Sequence, residues 1–145
     1  MFELLYRQSG LLALLAALAS CVSLMRSIDR LPLSPSEKKA LLKALLAWNL
    51  PWAVMGLGIV IRQVPDLWDY FQPLHGNPYV LAGFALQVLV LLAGLYWVLL
   101  RDGADAVASY CEASTGRRAS SAQIKISWGL GTCGALGALA LMCLA

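Results

Sequence analysis

The chain has 145 residues, of which 60% are hydrophobic and only 13% are charged, and its formal net charge is +3. The basic residues lie beside apolar stretches, where they suit lipid headgroups, so the charge does not indicate a nucleic-acid partner. The four cysteines form no Cys-x-x-Cys pair and no metal-ligand spacing. The sequence therefore predicts no metal site, no cofactor and no nucleic-acid binding, and it predicts the lipid bilayer as the surrounding medium.

Four apolar stretches are each long enough to cross the core of a bilayer. They are residues 4–25, 41–61, 79–100 and 126–145, numbered here as spans 1 to 4. The connections between them are too short to fold into a separate soluble domain. The sequence therefore predicts an all-α fold in which residues 1–145 form a single transmembrane domain, a bundle of four helices.

The lysines and arginines are distributed unevenly among the connections. Nine of the 11 lie within residues 26–43 and 101–125, and only Arg7 and Arg62 lie in the N-terminal segment and the second connection. Because cytoplasmic loops carry the excess of basic residues, the two basic segments are predicted to face the cytoplasm. Both termini are then periplasmic, and the predicted location is the inner membrane of a bacterium.

A competing signal lies in the first span. The segment Leu18-Ala19-Ser20-Cys21 follows an apolar run and matches the cleavage pattern of bacterial lipoproteins. Cleavage would place Cys21 and the basic residues after it outside the cytoplasm, which the charge distribution opposes. We therefore expect an intact first span, while processing at Cys21 stays open.

The second helix begins and bends at recognisable residues. Ser34 followed by Pro35 and Glu37 has the pattern of an N-terminal capping box. In the middle of the span, Pro51 removes one backbone hydrogen bond and predicts a kink. Asn49 lies beside it and, as an amide in hydrocarbon, is expected to face other helices.

The second connection is rich in aromatic residues. Trp68, Tyr70 and Phe71 suit the outer membrane interface, so residues 62–71 are predicted to form a short interfacial helix. Asn77 is the predicted N-cap of the third helix, and Gln87 is the strongly polar residue in its interior. The depths of Gln87 and Asn49 differ by only about 6 Å at 1.5 Å per residue, which predicts that a direct or water-bridged contact is within reach.

Small residues mark two helix-packing surfaces. Gly56 and Gly58 in span 2 allow another backbone to come close. Span 4 has a denser set of glycines, with Cys133 completing a small-x-x-x-small pattern: Gly129, Gly131, Gly134 and Gly137. Such a surface packs either inside the bundle or against another subunit, and the pattern leaves both uses open.

The spans lack the groups that membrane enzymes and ion-coupled carriers use at depth. No ionisable residue lies in the middle of a span, and the single histidine, His75, falls in a predicted surface turn. The sequence therefore offers no catalytic residue, and a non-enzymatic role is favoured.

Several short segments carry a family resemblance. They are Asn49-Leu50-Pro51-Trp52 with Val54-Met55-Gly56-Leu57-Gly58, then Gly76-Asn77-Pro78 and Tyr96-Trp97. Over residues 48–105 the chain resembles a group of small, uncharacterised bacterial inner-membrane proteins with four helices. The resemblance implies a bacterial membrane protein and brings no activity and no catalytic residue with it.

Two functional hypotheses follow from these observations. The first is a non-enzymatic membrane protein that acts through helix packing, as a homo-oligomer or as an accessory subunit of a membrane complex. The alternative is a binding protein or carrier for a lipid, a quinone or a small apolar molecule, with a site between helices 2 and 3. Aromatic walls with a few polar groups suit such a site. The residues predicted to form it are Trp48, Asn49, Trp52, Gln87 and Trp97.

Overall fold

The computed structural model describes residues 2–65, 68–71 and 76–142, and within these residues the chain is helical without strands. His75 and Cys143 lie outside the described residues, as do the side chains of Trp68 and Phe71. The helices are α1 (Phe2–Arg30), α2 (Pro35–Val60), a 3-10 helix (Trp68–Phe71), α3 (Pro78–Leu100), α4 (Gly103–Thr115) and α5 (Ser121–Met142).

Four of the described helices are long and apolar enough to cross a membrane. The candidate spans are Gln8–Arg30, Pro35–Val60, Pro78–Leu100 and Ser121–Met142. The prediction of an all-helical chain with four apolar helices is thereby confirmed. Pro51 lies inside α2 and its side chain is fully buried. The kink at Pro51 and the interfacial position of the second connection stay predictions.

Polar caps fix where the helices begin. Ser34 and Glu37 form the predicted capping box: the Glu37 amide donates to Ser34 Oγ over 3.3 Å, and the Ser34 amide donates to Glu37 Oε2 over 2.9 Å. The Asn77 side chain accepts from the Tyr79 amide over 2.9 Å at the start of α3. These caps extend α2 and α3 slightly beyond the apolar stretches, because a helix begins at its cap and not at its first apolar residue.

Helices α1 and α2 are antiparallel neighbours. Near one end, Gly10 of α1 lies against Gly56 and Ile59 of α2, and near the other end Ile28 of α1 packs on Leu41 of α2. Close packing between helices occurs where small residues let two backbones approach each other.

At the end where α2 leads into α3, the chain folds back on itself. Tyr70, in the 3-10 helix, is buried between Gly58 of α2 and Gly83 of α3, and it packs with Met55 and Val80. The aromatic side chain therefore fills space between two helices, whereas the sequence alone suggested a residue of the aromatic belt. We refer to this part of the molecule as the Tyr70 end.

The opposite end is covered by α4, and we refer to it as the α4 end. The polar residues after Leu100 by themselves predict only a helical extension or a loop that leaves the membrane. In the structure the small side chains of α4 pack in clusters with residues of four other helices. Ala106 meets α1 and α2, while Ala104 and Ala108 meet Val98 of α3 and Ile124 of α5. An alanine face is too weakly apolar to stand out in a hydropathy pattern, which is why this packing was missed.

Candidate functional site

The described structure has a cavity of about 1580 Å³ whose walls come mainly from α2, α3 and α5. Its lining is predominantly apolar, and it runs along α2 from Ser36 to Leu50. At the α4 end, Val107 and Tyr110 of α4 complete the lining. A concave, mostly apolar space with a few polar groups is the usual form of a ligand site.

Three tryptophans from three different helices line this cavity. The rings of Trp48 in α2 and Trp128 in α5 meet edge to face, with centroids 5.9 Å apart and an interplanar angle of 63°. The indole of Trp128 also lies over Gly94 of α3. Edge-to-face geometry places the positive edge of one ring on the negative face of the other. This contact joins α2 to α5 across the cavity wall.

Trp97, the third tryptophan, is held by the turn between α3 and α4. A Cβ placed on Gly103 would lie 2.7 Å from the carbonyl oxygen of Trp97 and 2.7 Å from its ring. Only glycine therefore lets α4 start this close to the end of α3. The position of Trp97 in the lining depends on that turn.

Of the residues predicted from sequence for a ligand site, the structure places only some together. Trp48 and Trp97 line the cavity, whereas Asn49, Trp52 and Gln87 are not among the described residues of its lining. Asn49 is 8% exposed and donates through Nδ2 to the carbonyl oxygen of Leu45 over 2.9 Å, within its own helix. The described structure has no hydrogen bond from Asn49 to Gln87, which is half-buried.

The contribution of α5 was missed by the sequence reasoning. Trp128, Gly131 and Thr132 all line the cavity, and Thr132 is buried. The indole of Trp128 is a visible signal at the start of span 4. Its proximity to Trp48 depends on which helices are neighbours, and the periodicity of residues along one helix does not predict which helices are neighbours.

A polar rim surrounds the α4 end of the cavity. It includes Ser36, Lys39 and Lys43 of α2 and Gln123 of α5. The two lysines are four residues apart and therefore share one face of the helix. No acidic side chain is among the described residues that line the cavity. The rim is consequently positive.

A second surface lies on the outward side of α5. A Cβ placed on any of the glycines at 129, 131, 134 and 137 would meet no described atom within 4 Å outside the local helix backbone. Large apolar side chains beside them are strongly exposed, with Leu130 at 71% and Leu141 at 68%. The outward face, defined here as Leu130, Cys133, Gly134, Gly137 and Leu141, is thus left without close contacts to the described chain.

The glycines of α2 are placed differently. A Cβ on Gly56 would lie 2.8 Å from the carbonyl oxygen of Gly10, and a Cβ on Gly58 would collide with the hydroxyl of Tyr70. Gly56 therefore lies in the contact between α1 and α2, and Gly58 lies under the second connection.

These features define the class of protein: four apolar helices of spanning length make it a multi-pass membrane protein, in contact with the lipid bilayer. No protein-family model, curated protein or solved structure matches the chain.

Proposed function

We propose that the protein is a non-enzymatic membrane protein that acts by packing against another transmembrane protein, either a second copy of itself or a larger assembly. The outward face of α5 carries this proposal. It combines exposed leucines with glycines that make no close contact in the described chain. In hydrocarbon, helices associate mainly through close van der Waals packing, and small residues make that packing available.

The proposal extends to the location of the chain. The basic segments around α4 and before α2 face the cytoplasm of a bacterium, and both termini are periplasmic. The uneven distribution of lysine and arginine supports this orientation. The test uses a reporter enzyme that is active only in the periplasm. The reporter should be active when it is fused to the C-terminus and inactive when it is fused after Thr115. The reverse pattern would overturn the orientation.

Native mass spectrometry of the protein gently extracted with its lipids tests the packing function. We expect a defined oligomer or a stoichiometric complex with another membrane protein. Gly134→Leu should abolish that assembly, because a large side chain on the outward face separates the helices. Gly131→Leu is the matched control, since Gly131 lines the cavity on the same helix. A monomeric wild-type protein without a co-purifying partner would refute the proposal, as would normal assembly of Gly134→Leu.

A second candidate function is favoured by the cavity between α2, α3 and α5. Its volume of about 1580 Å³ and its tryptophan walls suit a binding protein or carrier for a lipid, a quinone or a small apolar molecule. The sequence predicts this site between helices 2 and 3, around Trp48, Asn49, Trp52, Gln87 and Trp97. The cavity supports a site in that region with α5 as an additional wall. Retention of one specific small molecule by a bare monomer would favour this function over packing.

A further inference from the structure

We propose that the cavity holds an anionic phospholipid from the leaflet at the α4 end of the protein. The phosphate-bearing headgroup lies at Lys39 and Lys43, and the acyl chains lie along the apolar walls beside Trp48 and Trp128. This inference rests on the second candidate function and names the ligand of that site. On the proposed orientation the leaflet is the cytoplasmic one, whose surface is negatively charged.

The size of the cavity favours a lipid over a compact solute. Its volume of about 1580 Å³ exceeds the range of about 300 to 1,000 Å³ that is usual for drug-sized ligands. Between Ser36 and Leu50 the lining extends about 21 Å along α2, at a rise of 1.5 Å per residue. One leaflet, headgroup region included, is also about 20 to 22 Å thick. The cavity therefore matches one lipid molecule in length.

The distribution of polarity along the cavity favours an amphiphile. Ser36, Lys39 and Lys43 lie at the α4 end, whereas Leu50, Leu86 and Ala135 line the part farthest from that end. A ligand with polar groups at both ends would leave one of them in an apolar environment, at a considerable free-energy cost. A single polar headgroup with hydrocarbon chains satisfies both regions.

The charge of the rim selects an anionic headgroup. No carboxylate is among the described lining residues, and three carboxylates toward the α4 end have other partners. Glu37 accepts from Ser34, Asp105 accepts from the hydroxyl of Ser121, and Glu112 pairs with Arg118 at 3.6 Å. Neither Lys39 nor Lys43 pairs with a carboxylate in the described structure. Lysine is a common partner of phosphate groups, as a compact point charge.

The adjacent Lys38 shows that position on the helix decides the role of each lysine. Its ammonium group donates to the carbonyl oxygen of Asp29 over 2.8 Å, at the end of α1, and it is not part of the described lining. Lys38 therefore stabilises the connection between α1 and α2. Lys39 and Lys43 line the cavity instead.

Native mass spectrometry of the full chain with defined lipids tests the proposal. The probes are phosphatidylglycerol and phosphatidylcholine with identical acyl chains, titrated onto delipidated protein. We expect one phosphatidylglycerol to bind in clear preference to phosphatidylcholine. The double variant Lys39→Gln with Lys43→Gln should bind phosphatidylglycerol roughly thirtyfold more weakly. This follows from about 1 kcal/mol for each lysine near an anionic surface and tenfold in affinity for about 1.4 kcal/mol.

The matched control is Arg117→Gln with Arg118→Gln, which removes two positive charges from the same end outside the described lining. It should retain the affinity of the wild type. All four side chains are exposed or half-exposed, so the helical content of both variants should be unchanged by circular dichroism. Equal binding of the two lipids by the wild type, or an equal loss in the control, would overturn the proposal.

A second variant tests the position of the acyl chains. Gly131→Leu fills the cavity from the α5 side, where a Cβ meets no described atom within 4 Å, and it should weaken both lipids. Gly134→Leu, on the outward face, should leave lipid binding intact while it disrupts assembly. Unchanged lipid binding in Gly131→Leu contradicts the lipid site alone, and unchanged assembly in Gly134→Leu contradicts the packing function alone.

Discussion

Gly10 of α1 and Gly56 of α2 face each other at a point where the two backbones nearly touch. A Cβ on Gly10 would lie 2.9 Å from the carbonyl oxygen of Gly56, and a Cβ on Gly56 would lie 2.8 Å from the carbonyl oxygen of Gly10. Because both obstacles are backbone atoms, no rotation of a side chain relieves the clash. The approach of α1 to α2 therefore depends on glycine at both positions.

We expect Gly56→Ala to push α1 away from α2 and to destabilise the protein by about 1 to 3 kcal/mol, the range for overpacking a close contact. Thermal unfolding in detergent, followed by circular dichroism, measures the change. Gly129→Ala is the control, because a Cβ at that position meets no described atom within 4 Å and Gly129 belongs neither to the outward face nor to the described lining of the cavity. Alanine is also the better helix former by up to about 1 kcal/mol. Equal melting temperatures for the two variants would contradict the close contact.

A second prediction concerns the turn between α3 and α4. Gly103→Ala places its Cβ against the carbonyl oxygen and the ring of Trp97, so α4 must shift and Trp97 must leave its place in the cavity lining. We expect a changed tryptophan emission spectrum and a lower melting temperature. Gly94→Ala serves as control, since its Cβ would make an ordinary contact of 3.6 Å with Trp128. An emission spectrum of Gly103→Ala identical to that of the control would refute this account.

Whether a feature of this architecture could be predicted from the sequence depends on whether the feature is local. The cap at Ser34 and Glu37 and the cap at Asn77 were predicted correctly, since each involves residues two or three positions apart. The capping box between Ser120 and Gln123 is equally local, with bonds of 3.2 and 3.0 Å. The surrounding polar segment, Ser114–Ser121, is typical of a flexible turn, and for that reason the sequence did not predict this cap.

The features that sequence reasoning missed depend on contacts between distant parts of the chain. In the sequence Gly10 is a lone glycine in an apolar helix, and only the structure shows that Gly56 lies opposite to it. Trp128 joins the cavity only because α5 lies beside α3 and reaches Trp48. The sequence predicts that Asn49 faces other helices, whereas its hydrogen-bond partner in the structure is the carbonyl oxygen of Leu45, one turn earlier in the same helix.

A third prediction concerns the end of α2. Arg62 has φ of 59°, in the left-handed region, and its amide donates to the carbonyl oxygen of Ile59 over 3.0 Å. The next amide, that of Gln63, donates to Gly58 over 3.0 Å, which completes a Schellman motif. Since a side chain with a Cβ is strained at that φ, Arg62→Gly should stabilise the protein by about 1 kcal/mol.

The control for that substitution is Arg62→Ala, which removes the same charge and keeps the Cβ. Melting temperatures of the two variants and the wild type separate the effects. Stabilisation by both variants would assign the gain to the lost charge, and stabilisation by neither would contradict strain at Arg62.

The last prediction concerns the hydroxyl of Tyr70, which is buried against Gly58. The side chain is 4% exposed, and its oxygen has no hydrogen-bond partner in the described residues. A buried hydroxyl without a partner costs about 1 to 3 kcal/mol. Tyr70→Phe keeps the ring between Gly58 and Gly83 and removes that cost, so we expect a higher melting temperature at neutral pH.

Burial also raises the pKa of Tyr70 above its ordinary value of 10.0, because the phenolate is poorly solvated. The folded state therefore holds the proton more tightly than the unfolded state. The contribution of this tighter proton binding to the free energy of unfolding is fully present below pH 10 and is lost as the pH rises through the pKa of Tyr70 in the folded state. The stability advantage of Tyr70→Phe should consequently widen in alkaline solution. Melting curves of both proteins between pH 7 and about 11 measure it, and a difference that stays constant or narrows as the pH rises would contradict a raised pKa of Tyr70.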